Sequence, residues 1–227
     1  KLNRPILNMV AQKSFFERVY FWMFAGLLIS GLAAVLISSS SALQQIFYSP
    51  LVFFGLIIIE LTFVFIISAR IGKLKTSTAT TLFILYSLLN GLTLSVIFLE
   101  YNLGTISFAF FVAAIMFGLT GFYGATTKKD LSSLGSVLFM ALMGLVIALL
   151  INLFVRNSLA DLIFAWVGVI IFSGLAAYDN WKIKHGKVQW IKYSGNIEKA
   201  SIFAALGLYL DFVNLFLSLL RIFGRRD

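Results

Sequence analysis

Acidic side chains occur inside stretches of sequence that are otherwise apolar. Asp211 lies near the middle of the last apolar stretch, Ala200–Phe223, and Asp179 ends the preceding one. Glu60 lies near the middle of the second stretch, within Leu-Ile-Ile-Ile-Glu-Leu-Thr-Phe. If these stretches cross a bilayer, a charged residue at that depth costs about 2.5–3.5 kcal/mol on insertion scales. We therefore expect these acids to face protein or water, and they are the first candidates for function.

The last apolar stretch places its small and polar residues on one helical face. These residues recur at steps of three and four, the spacing that aligns side chains along an α-helix: Ala200, Ala204, Gly207, Asp211, Asn214, Ser218 and Arg221. Small residues let helices approach closely, and polar residues hydrogen-bond between helices or line a cavity. We predict that this helix is surrounded by the others. Asn214 is a candidate for lining a cation pathway, and an interhelical hydrogen bond is the alternative.

Asp179 and Asp211 are candidates for a carboxylate pair. Asp211 lies eleven residues after Ala200, about 16 Å along a helix. The two acids therefore meet only if Asp179 is drawn into the helix bundle or the sixth helix continues past Tyr178. Two carboxylates in a medium of low dielectric do not both ionise cheaply, so the pair would share one proton and respond to pH. The alternative is an Asp179 that is solvated at the membrane surface.

Glu60 and Arg70 belong to the second apolar stretch. Arg70 follows Glu60 by ten residues, about 15 Å along a helix, so it does not neutralise that acid. Arg70 ends its stretch on the same side as Asp179 and is a candidate counter-ion for it, or else an ordinary basic residue at the membrane surface. An ionised Glu60 would attract cations into a pore. A protonated Glu60, hydrogen-bonded in the core, is the alternative.

The composition around these residues is that of an integral membrane protein. Of 227 residues, 60% are hydrophobic and 12% are charged. The apolar runs are continuous, which predicts helices rather than a β-barrel. Seven runs have a length near the ~20 residues of a spanning helix: Tyr20–Ser38, Leu51–Ala69, Ala79–Leu99, Thr105–Tyr123, Leu134–Val155, Leu159–Tyr178 and Ala200–Phe223. We therefore predict one all-α transmembrane domain over residues 1–227.

Small and polar residues within the other spans predict contacts between helices. Closely spaced glycines and alanines let helices approach, and amides hydrogen-bond across them. The glycines and alanine of interest are Gly118, Gly121 and Gly124 in the fourth span and Gly144 and Ala148 in the fifth. The amides are Asn90, Asn152 and Asn214.

The composition also argues against several functions. The net charge of +9 comes from basic residues in linkers and ends, where membrane topology explains them, so we predict no nucleic-acid partner. The chain has no cysteine and one histidine, His185, which gives little support to zinc sites or histidine-based triads. An intramembrane aspartyl protease also uses two aspartates, but the Gly-x-Gly-Asp motif of that class is missing. We predict no enzyme activity and no cofactor.

The lysines and arginines predict the orientation of the chain. Fourteen of the 18 lie in the N-terminal segment and the second, fourth and sixth linkers, and four lie on the opposite side. Because basic residues favour the cytoplasmic side, we predict a cytoplasmic N-terminus. Seven spans then place the arginine-bearing C-terminus outside, and a last segment that dips in and returns is the alternative. The first span is too long for a typical signal peptide, and six more spans follow it.

Two sequence blocks resemble a known family. They are Gly174-Leu-Ala-Ala-Tyr-Asp-Asn-Trp-Lys-Ile-Lys184 and the stretch from residue 205 to residue 216, Ala-Leu-Gly-Leu-Tyr-Leu-Asp-Phe-Val-Asn-Leu-Phe. Together with seven spans, they resemble bacterial members of the Bax inhibitor-1 family, the transmembrane Bax-inhibitor-motif proteins. The resemblance implies two three-helix layers around a central C-terminal helix. It also implies a pH-dependent calcium leak, with Asp179 and Asp211 as the sensor, Arg70 as a latch on one aspartate and Glu60 on the pore side.

We therefore predict a pH-sensitive calcium leak channel of a bacterial plasma membrane. Calcium, the permeant ion, would contact Asp179, Asp211 and Glu60 transiently, and the partners would be the lipid bilayer and possible other membrane proteins. One alternative is a proton-coupled transporter of a small solute that uses the same acids. Another is a non-conducting regulatory protein that docks through the basic segment Lys182–Lys199.

Overall fold

Helices form all the regular secondary structure in the described part of the chain. The computed structural model describes residues 4–185 and 196–224, with side chains from residue 14 onward. Most of the basic segment proposed for docking, residues 186–195, and the arginines at 225 and 226 lie outside the described residues. The described helices are α1 (Arg4–Ser38), α2 (Ser41–Phe47), α3 (Pro50–Arg70), α4 (Thr76–Leu94), α5 (Ile97–Glu100), α6 (Leu103–Thr126), α7 (Ser132–Val155), α8 (Ser158–His185) and α9 (Ile197–Phe223).

The described helices confirm the seven predicted spans. Seven segments are long and apolar enough to cross a membrane: Ser14–Ser38, Pro50–Arg70, Thr76–Glu100, Leu103–Thr126, Ser132–Val155, Ser158–His185 and Ile197–Phe223. Each is longer than its prediction, because the polar turns at a helix end do not register as apolar sequence. The largest extension is in α8, which continues past Tyr178 to His185.

Local sequence explains several of the helix ends. Pro50 begins α3, where its missing N–H and fixed φ suit the first turn. The Asn102 side chain accepts a hydrogen bond from the Thr105 N–H and caps α6. Helix α7 ends at Val155, and Arg156, the residue that follows it, has a left-handed φ of 54°.

The turn between α7 and α8 is closed by two asparagines. Asn152 Nδ2 donates to the Asn157 carbonyl at 3.3 Å, and the Asn157 N–H donates to Asn152 Oδ1 at 3.1 Å. The prediction that Asn152 joins two spans across the bundle is therefore wrong. Its amide is used to close a turn, because it lies within one helical turn of the end of α7.

Two compact units make up the chain. The described part of the first unit is residues 4–100 and 196–209, and within it α4 packs against α1 and α3. The described part of the second unit is residues 101–185 and 210–224, and within it α8 packs against α6 and α7. Each unit holds three of the first six spans, and α9 contributes residues to both. The single domain over residues 1–227 and its layered arrangement stay predictions.

The last span is far more buried than the others. In α9, 72% of the most apolar window is buried, against 11–33% in the other six spans. Large apolar side chains on the other spans are exposed, for example Leu51 at 87% and Phe154 at 84%. Exposed apolar surface suits a lipid environment, whereas a helix buried on all sides is surrounded by protein. The burial of α9 is what a helix surrounded by the others requires, and that arrangement itself stays a prediction.

Glycines bring helices into contact at some of the predicted positions. A Cβ atom at Gly124 would overlap the Ala177 carbonyl oxygen, so the backbones of α6 and α8 touch there. The predictions for Gly118 and Gly144 are wrong, because a Cβ atom at either position would meet nothing within 4 Å. Both glycines are exposed.

Candidate functional site

Asp179 and Asp211 both belong to the second unit, and their charges act on each other. The extension of α8 past Tyr178, one of the two conditions that would allow this meeting, is present. Asp211 is only 6% exposed, and Asp179 is partly buried. Within the described residues, Asp211 Oδ2 is buried without a hydrogen-bond partner. The structure therefore brings the two predicted sensor residues within electrostatic reach.

Aromatic side chains that follow Asp211 on α9 pack against α6. The ring of Phe212 makes edge-to-face contacts with Phe110 and Phe117 of α6, at centroid distances of 5.4 and 5.6 Å. Phe216, one turn further along α9, contacts Phe110 at 6.0 Å. Such contacts exclude water, and a charge in an apolar environment is costly unless it is paired or neutralised. Because Asp211 itself is buried, proton binding there relieves an electrostatic cost.

Asp179 has a nearby positive charge that the sequence analysis missed. The Lys182 ammonium acts electrostatically on Asp179, and its Nζ lies 5.7 Å from the centroid of the Tyr178 ring. The spacing of three residues on one helix was the available signal, since such residues are neighbours on a helix surface. Asp179 therefore interacts electrostatically with a carboxylate on α9 and with an ammonium on its own helix.

The segment of α8 that carries Asp179 is packed against both neighbouring helices. Gly124 of α6 lies directly against the backbone of Ala177. Gly135 of α7 faces the ring of Tyr178, and a Cβ atom there would overlap that ring. These two contacts precede Asp179 by one and two residues and fix the position from which its carboxyl group projects.

Asn214 and Ser218, the polar residues that follow Asp211 on α9, hydrogen-bond within their own helix. Asn214 Nδ2 donates to the Leu210 carbonyl of its own helix at 2.8 Å, so the interhelical bond predicted for it is absent from the described residues. Ser218 Oγ likewise donates to the Asn214 carbonyl at 2.8 Å. Ser173 Oγ on α8 is a second buried oxygen without a partner among the described residues. The role of Asn214 in a cation pathway stays a prediction.

Glu60 lies in the first unit, and hydrogen bonds from α4 occupy both of its carboxyl oxygens. Thr93 Oγ1 donates to Oε1 at 2.8 Å, and Asn90 Nδ2 donates to Oε2 at 3.2 Å. Glu60 is therefore hydrogen-bonded to a neighbouring helix. The interhelical bond predicted for Asn90 is confirmed. Thr93 was missed, although it follows Asn90 by one helical turn.

A hydrogen-bonded chain continues from Asn90 to α1. Tyr209 Oη donates to Asn90 Oδ1 at 2.7 Å and lies 2.6 Å from Ser30 Oγ. The Tyr209 ring is fully buried and packs edge-to-face on Phe83 and Tyr86, at centroid distances of 6.2 and 5.8 Å. The sequence did not predict these hydrogen bonds, because Tyr209 lies outside the polar face of α9 and has the neighbours of an apolar core residue.

Arg70 lies at the exposed end of α3, and the turn that follows it is held in place. Lys199, on α9, is 7% exposed, and its Nζ donates to the carbonyls of Gly72 and Leu74 at 3.2 and 3.0 Å. Within the first unit, the described structure gives the Arg70 guanidinium no ion pair. The latch role of Arg70 therefore stays a prediction.

The described residues hold no group of three or more His, Cys, Asp or Glu side chains that could bind a metal ion. Glu60 lies in the first unit and the two aspartates lie in the second. Donors from Thr93 and Asn90 face both oxygens of Glu60, so the structure does not identify Glu60 as a calcium ligand. The aspartate pair supplies carboxylate oxygens, which calcium prefers, and transient calcium contact there stays a prediction.

Seven apolar helices with acids inside them define a polytopic α-helical integral membrane protein. A sequence model of the family described as "Inhibitor of apoptosis-promoting Bax1" matches residues 12–227. The chain belongs to this family, the Bax inhibitor-1 family, which confirms the resemblance read from its two sequence blocks.

Bacterial relatives match nearly the full length of the chain. Inner membrane protein YbhL of Escherichia coli K12 is 45% identical over 216 residues, which cover 94% of this chain and 92% of the relative. An uncharacterised protein of Borreliella burgdorferi is 39% identical over 220 residues, covering 96% and 95%. An uncharacterised membrane protein of Streptococcus pyogenes serotype M1 is 37% identical over 222 residues, covering 96% and 95%. Two of these three relatives are named as membrane proteins.

Proposed function

We propose that this protein is a pH-sensitive calcium leak channel in which Asp179 and Asp211 sense pH. The observation that supports the proposal is the buried oxygen of Asp211, which has no hydrogen-bond partner among the described residues and lies in electrostatic reach of Asp179. Leaving a buried polar group unpaired costs about 1–3 kcal/mol or more. A site that binds and releases a proton explains why such a group is retained.

The proposed sensor works through the charge of the pair. With one proton on the pair, the carboxyl groups share it and tolerate a short separation. Loss of that proton adds repulsion between α8 and α9, and Lys182 then offers Asp179 an opposite charge. A difference of one pKa unit between two conformations is worth about 1.4 kcal/mol, so one or two units move their ratio about ten- to a hundredfold. We include Arg70 as the latch on one aspartate, with Glu60 and Asn214 along the ion pathway.

We also propose a bacterial plasma membrane as the location, with the N-terminus in the cytoplasm. The excess of lysine and arginine in the N-terminal segment and the even-numbered linkers supports this orientation. The name of the Escherichia coli relative, an inner membrane protein, supports the location.

The test is calcium flux into liposomes that contain only the purified protein, measured at several values from about pH 6 to about pH 8, because coupled carboxyl groups titrate as a pair. We expect flux that changes with pH in the wild type. Asp211→Asn keeps the side chain's size but removes its charge, so its flux should no longer follow pH. Asp161→Asn is the matched control, since it makes the same change at the opposite end of α8 and should keep the wild-type pH profile.

Each other outcome contradicts the proposal in a different way. If Asp211→Asn keeps the wild-type profile, the pair is not the sensor. If correctly folded wild-type protein shows no calcium flux at any pH, the channel assignment is wrong. A saturable, solute-specific flux would then indicate a proton-coupled transporter, and no flux of any kind would indicate a regulatory protein.

A further inference from the structure

The chain of polar groups in the first unit has more acceptors than protons. Tyr209 has one hydroxyl proton and two partners, Asn90 Oδ1 at 2.7 Å and Ser30 Oγ at 2.6 Å. Ser30 also has one proton, and its oxygen lies 2.7 Å from the Ser87 carbonyl and 2.9 Å from the Gly26 carbonyl. A hydroxyl group donates one hydrogen bond at a time. The protons must therefore be distributed in one of a few discrete arrangements.

In the first arrangement, every bond points toward Glu60. Ser30 donates to Tyr209, Tyr209 donates to Asn90 Oδ1, and the Asn90 amide donates to Glu60 Oε2. This arrangement suits an ionised Glu60, because a carboxylate only accepts hydrogen bonds. Thr93 contributes a second bond to the same carboxylate.

In the second arrangement, every bond points away from Glu60. A neutral Glu60 donates to Asn90 Oδ1 after the Asn90 amide turns over, and the amide NH₂ then donates to Tyr209. Tyr209 donates to Ser30, and the Ser30 proton goes to the Ser87 carbonyl, which lies at hydrogen-bond distance. The two amide orientations of an asparagine occupy nearly the same space, and their partners decide between them.

We propose that Glu60, Asn90, Tyr209 and Ser30 form a proton-responsive site, separate from the aspartate pair, in which the charge of Glu60 sets the direction of the hydrogen-bond chain. The charge of Glu60 sets the direction of the hydrogen bonds because Glu60 has the one carboxyl group among these four residues. The groups that face it from the packed helices are few. The titratable side chains that interact electrostatically with Glu60 are Tyr86 of α4 and Tyr209 of α9, and α2 has no titratable residue. No lysine or arginine among the described residues forms an ion pair with Glu60.

The hydrogen-bonded series ends at Ser30, where the backbones of α1 and α4 are in contact. A Cβ atom at Gly91 would clash with the backbone of Ser30, so the two helices are in backbone contact there. In the second arrangement, the proton of Ser30 forms a hydrogen bond across this contact to Ser87. The charge of Glu60, on α3, therefore acts on the junction between two other helices. This site operates whether or not the protein conducts calcium.

Infrared spectroscopy of the protein in lipid tests this site directly. The C–O stretching band of a tyrosine reports its hydrogen bonds, and isotope-labelled tyrosine with the Tyr209→Phe variant identifies the band of Tyr209. Glu60→Gln mimics the neutral acid, because glutamine both donates and accepts. We expect Glu60→Gln to shift the Tyr209 band at neutral pH, and acidification of the wild type to produce the same shift. Tyr48→Phe is the matched control, because the Tyr48 hydroxyl donates to the Ser95 carbonyl and takes no part in this hydrogen-bonded chain, and it should leave both shifts unchanged.

Removing Asn90, the link between Glu60 and Tyr209, supplies the decisive comparison. In an Asn90→Ala background, Glu60→Gln should no longer shift the Tyr209 band. The proposal is overturned if the band is the same in the wild type and Glu60→Gln, or if Asn90→Ala leaves the shift intact. Should Asn90→Ala not fold, the pH titration of the wild type alone decides, since a Tyr209 band that stays constant on acidification also overturns the proposal. These infrared measurements do not depend on calcium flux. Failure of the channel proposal and failure of this one can therefore be told apart.

Discussion

The buried acids of this chain differ in how their oxygens are satisfied. Both oxygens of Glu60 accept hydrogen bonds from α4, whereas Asp211 has an oxygen without a partner among the described residues. A fully bonded acid is held in one place, and an under-bonded acid gains from any partner that arrives. The sequence marked both residues equally, as acids in apolar helices. The difference depends on Thr93 and Asn90, about thirty residues from Glu60 along the chain, and only the fold brings them together.

Asp130 lies in the linker between two spans, where its carboxyl group is exposed to water, and its pKa can be predicted to be lowered. Hydrogen bonds from the side chain and backbone of Ser132 hold the pKa of Asp130 below its usual 3.8. Because the folded pKa is lowered, the stabilisation is present above the unfolded pKa and is lost as pH falls through the folded one. We expect the Ser132 amide resonance to titrate with a midpoint below 3.8.

The matched variant for this titration is Asp130→Asn, which keeps the hydrogen-bond acceptor and removes the titrating group. Its Ser132 amide resonance should not move over the same pH range. A wild-type midpoint at or above the usual aspartate value would contradict the assignment of the bond from Ser132 as the cause.

Helix α6 shows that glycine spacing alone does not predict helix contact. Gly118, Gly121 and Gly124 recur every three residues, yet Gly118 is exposed while Gly124 touches the backbone of α8. A step of three advances about 300° around a helix of 3.6 residues per turn, so successive glycines rotate away from one face. The sequence thus predicted the spans and the acids well. It did not predict which face of each helix meets which neighbour.

Gly124 and Gly118 form a matched pair for testing this packing. Gly124→Ala places a methyl group on the Ala177 carbonyl oxygen, and overpacking of this kind costs about 1–3 kcal/mol. Gly118→Ala has free space around it and gains about 1 kcal/mol or less of helix propensity. We expect Gly124→Ala to lower the midpoint of thermal unfolding in detergent and Gly118→Ala to leave it unchanged or raise it. Equal midpoints for the two variants would contradict the close contact.

At the scale of the whole molecule, the membrane spans are the feature that the sequence predicted best. The sequence predicted seven spans from continuous apolar runs, and the described helices bear out that number. Helix ends were less predictable, because α8 carries Asn180, Trp181, Lys182 and Lys184 beyond its apolar part. That polar extension, which apolarity does not detect, is what places Asp179 inside a helix.

Orientation can be tested with single cysteines, since the chain has none of its own. Lys128 and Ser158 are exposed and flank α7 on its two sides. In intact cells, we expect a membrane-impermeant maleimide to label Ser158→Cys, and to label Lys128→Cys only after the membrane is opened. Labelling of both from outside would mean that α7 does not cross. Labelling of Lys128→Cys alone would reverse the proposed orientation.

The short turn between α7 and α8 has a consequence for how the protein is made. Only Arg156 and Asn157 separate the two helices, and the paired asparagines close the turn. A nascent chain with so little slack cannot release α7 into lipid and leave α8 behind in the translocon. The two helices should therefore leave the translocon together as a hairpin, with Arg156 at its tip. With the orientation proposed above, biosynthesis would then have to carry one arginine across the bilayer, and it could do so only after α8 has been synthesised.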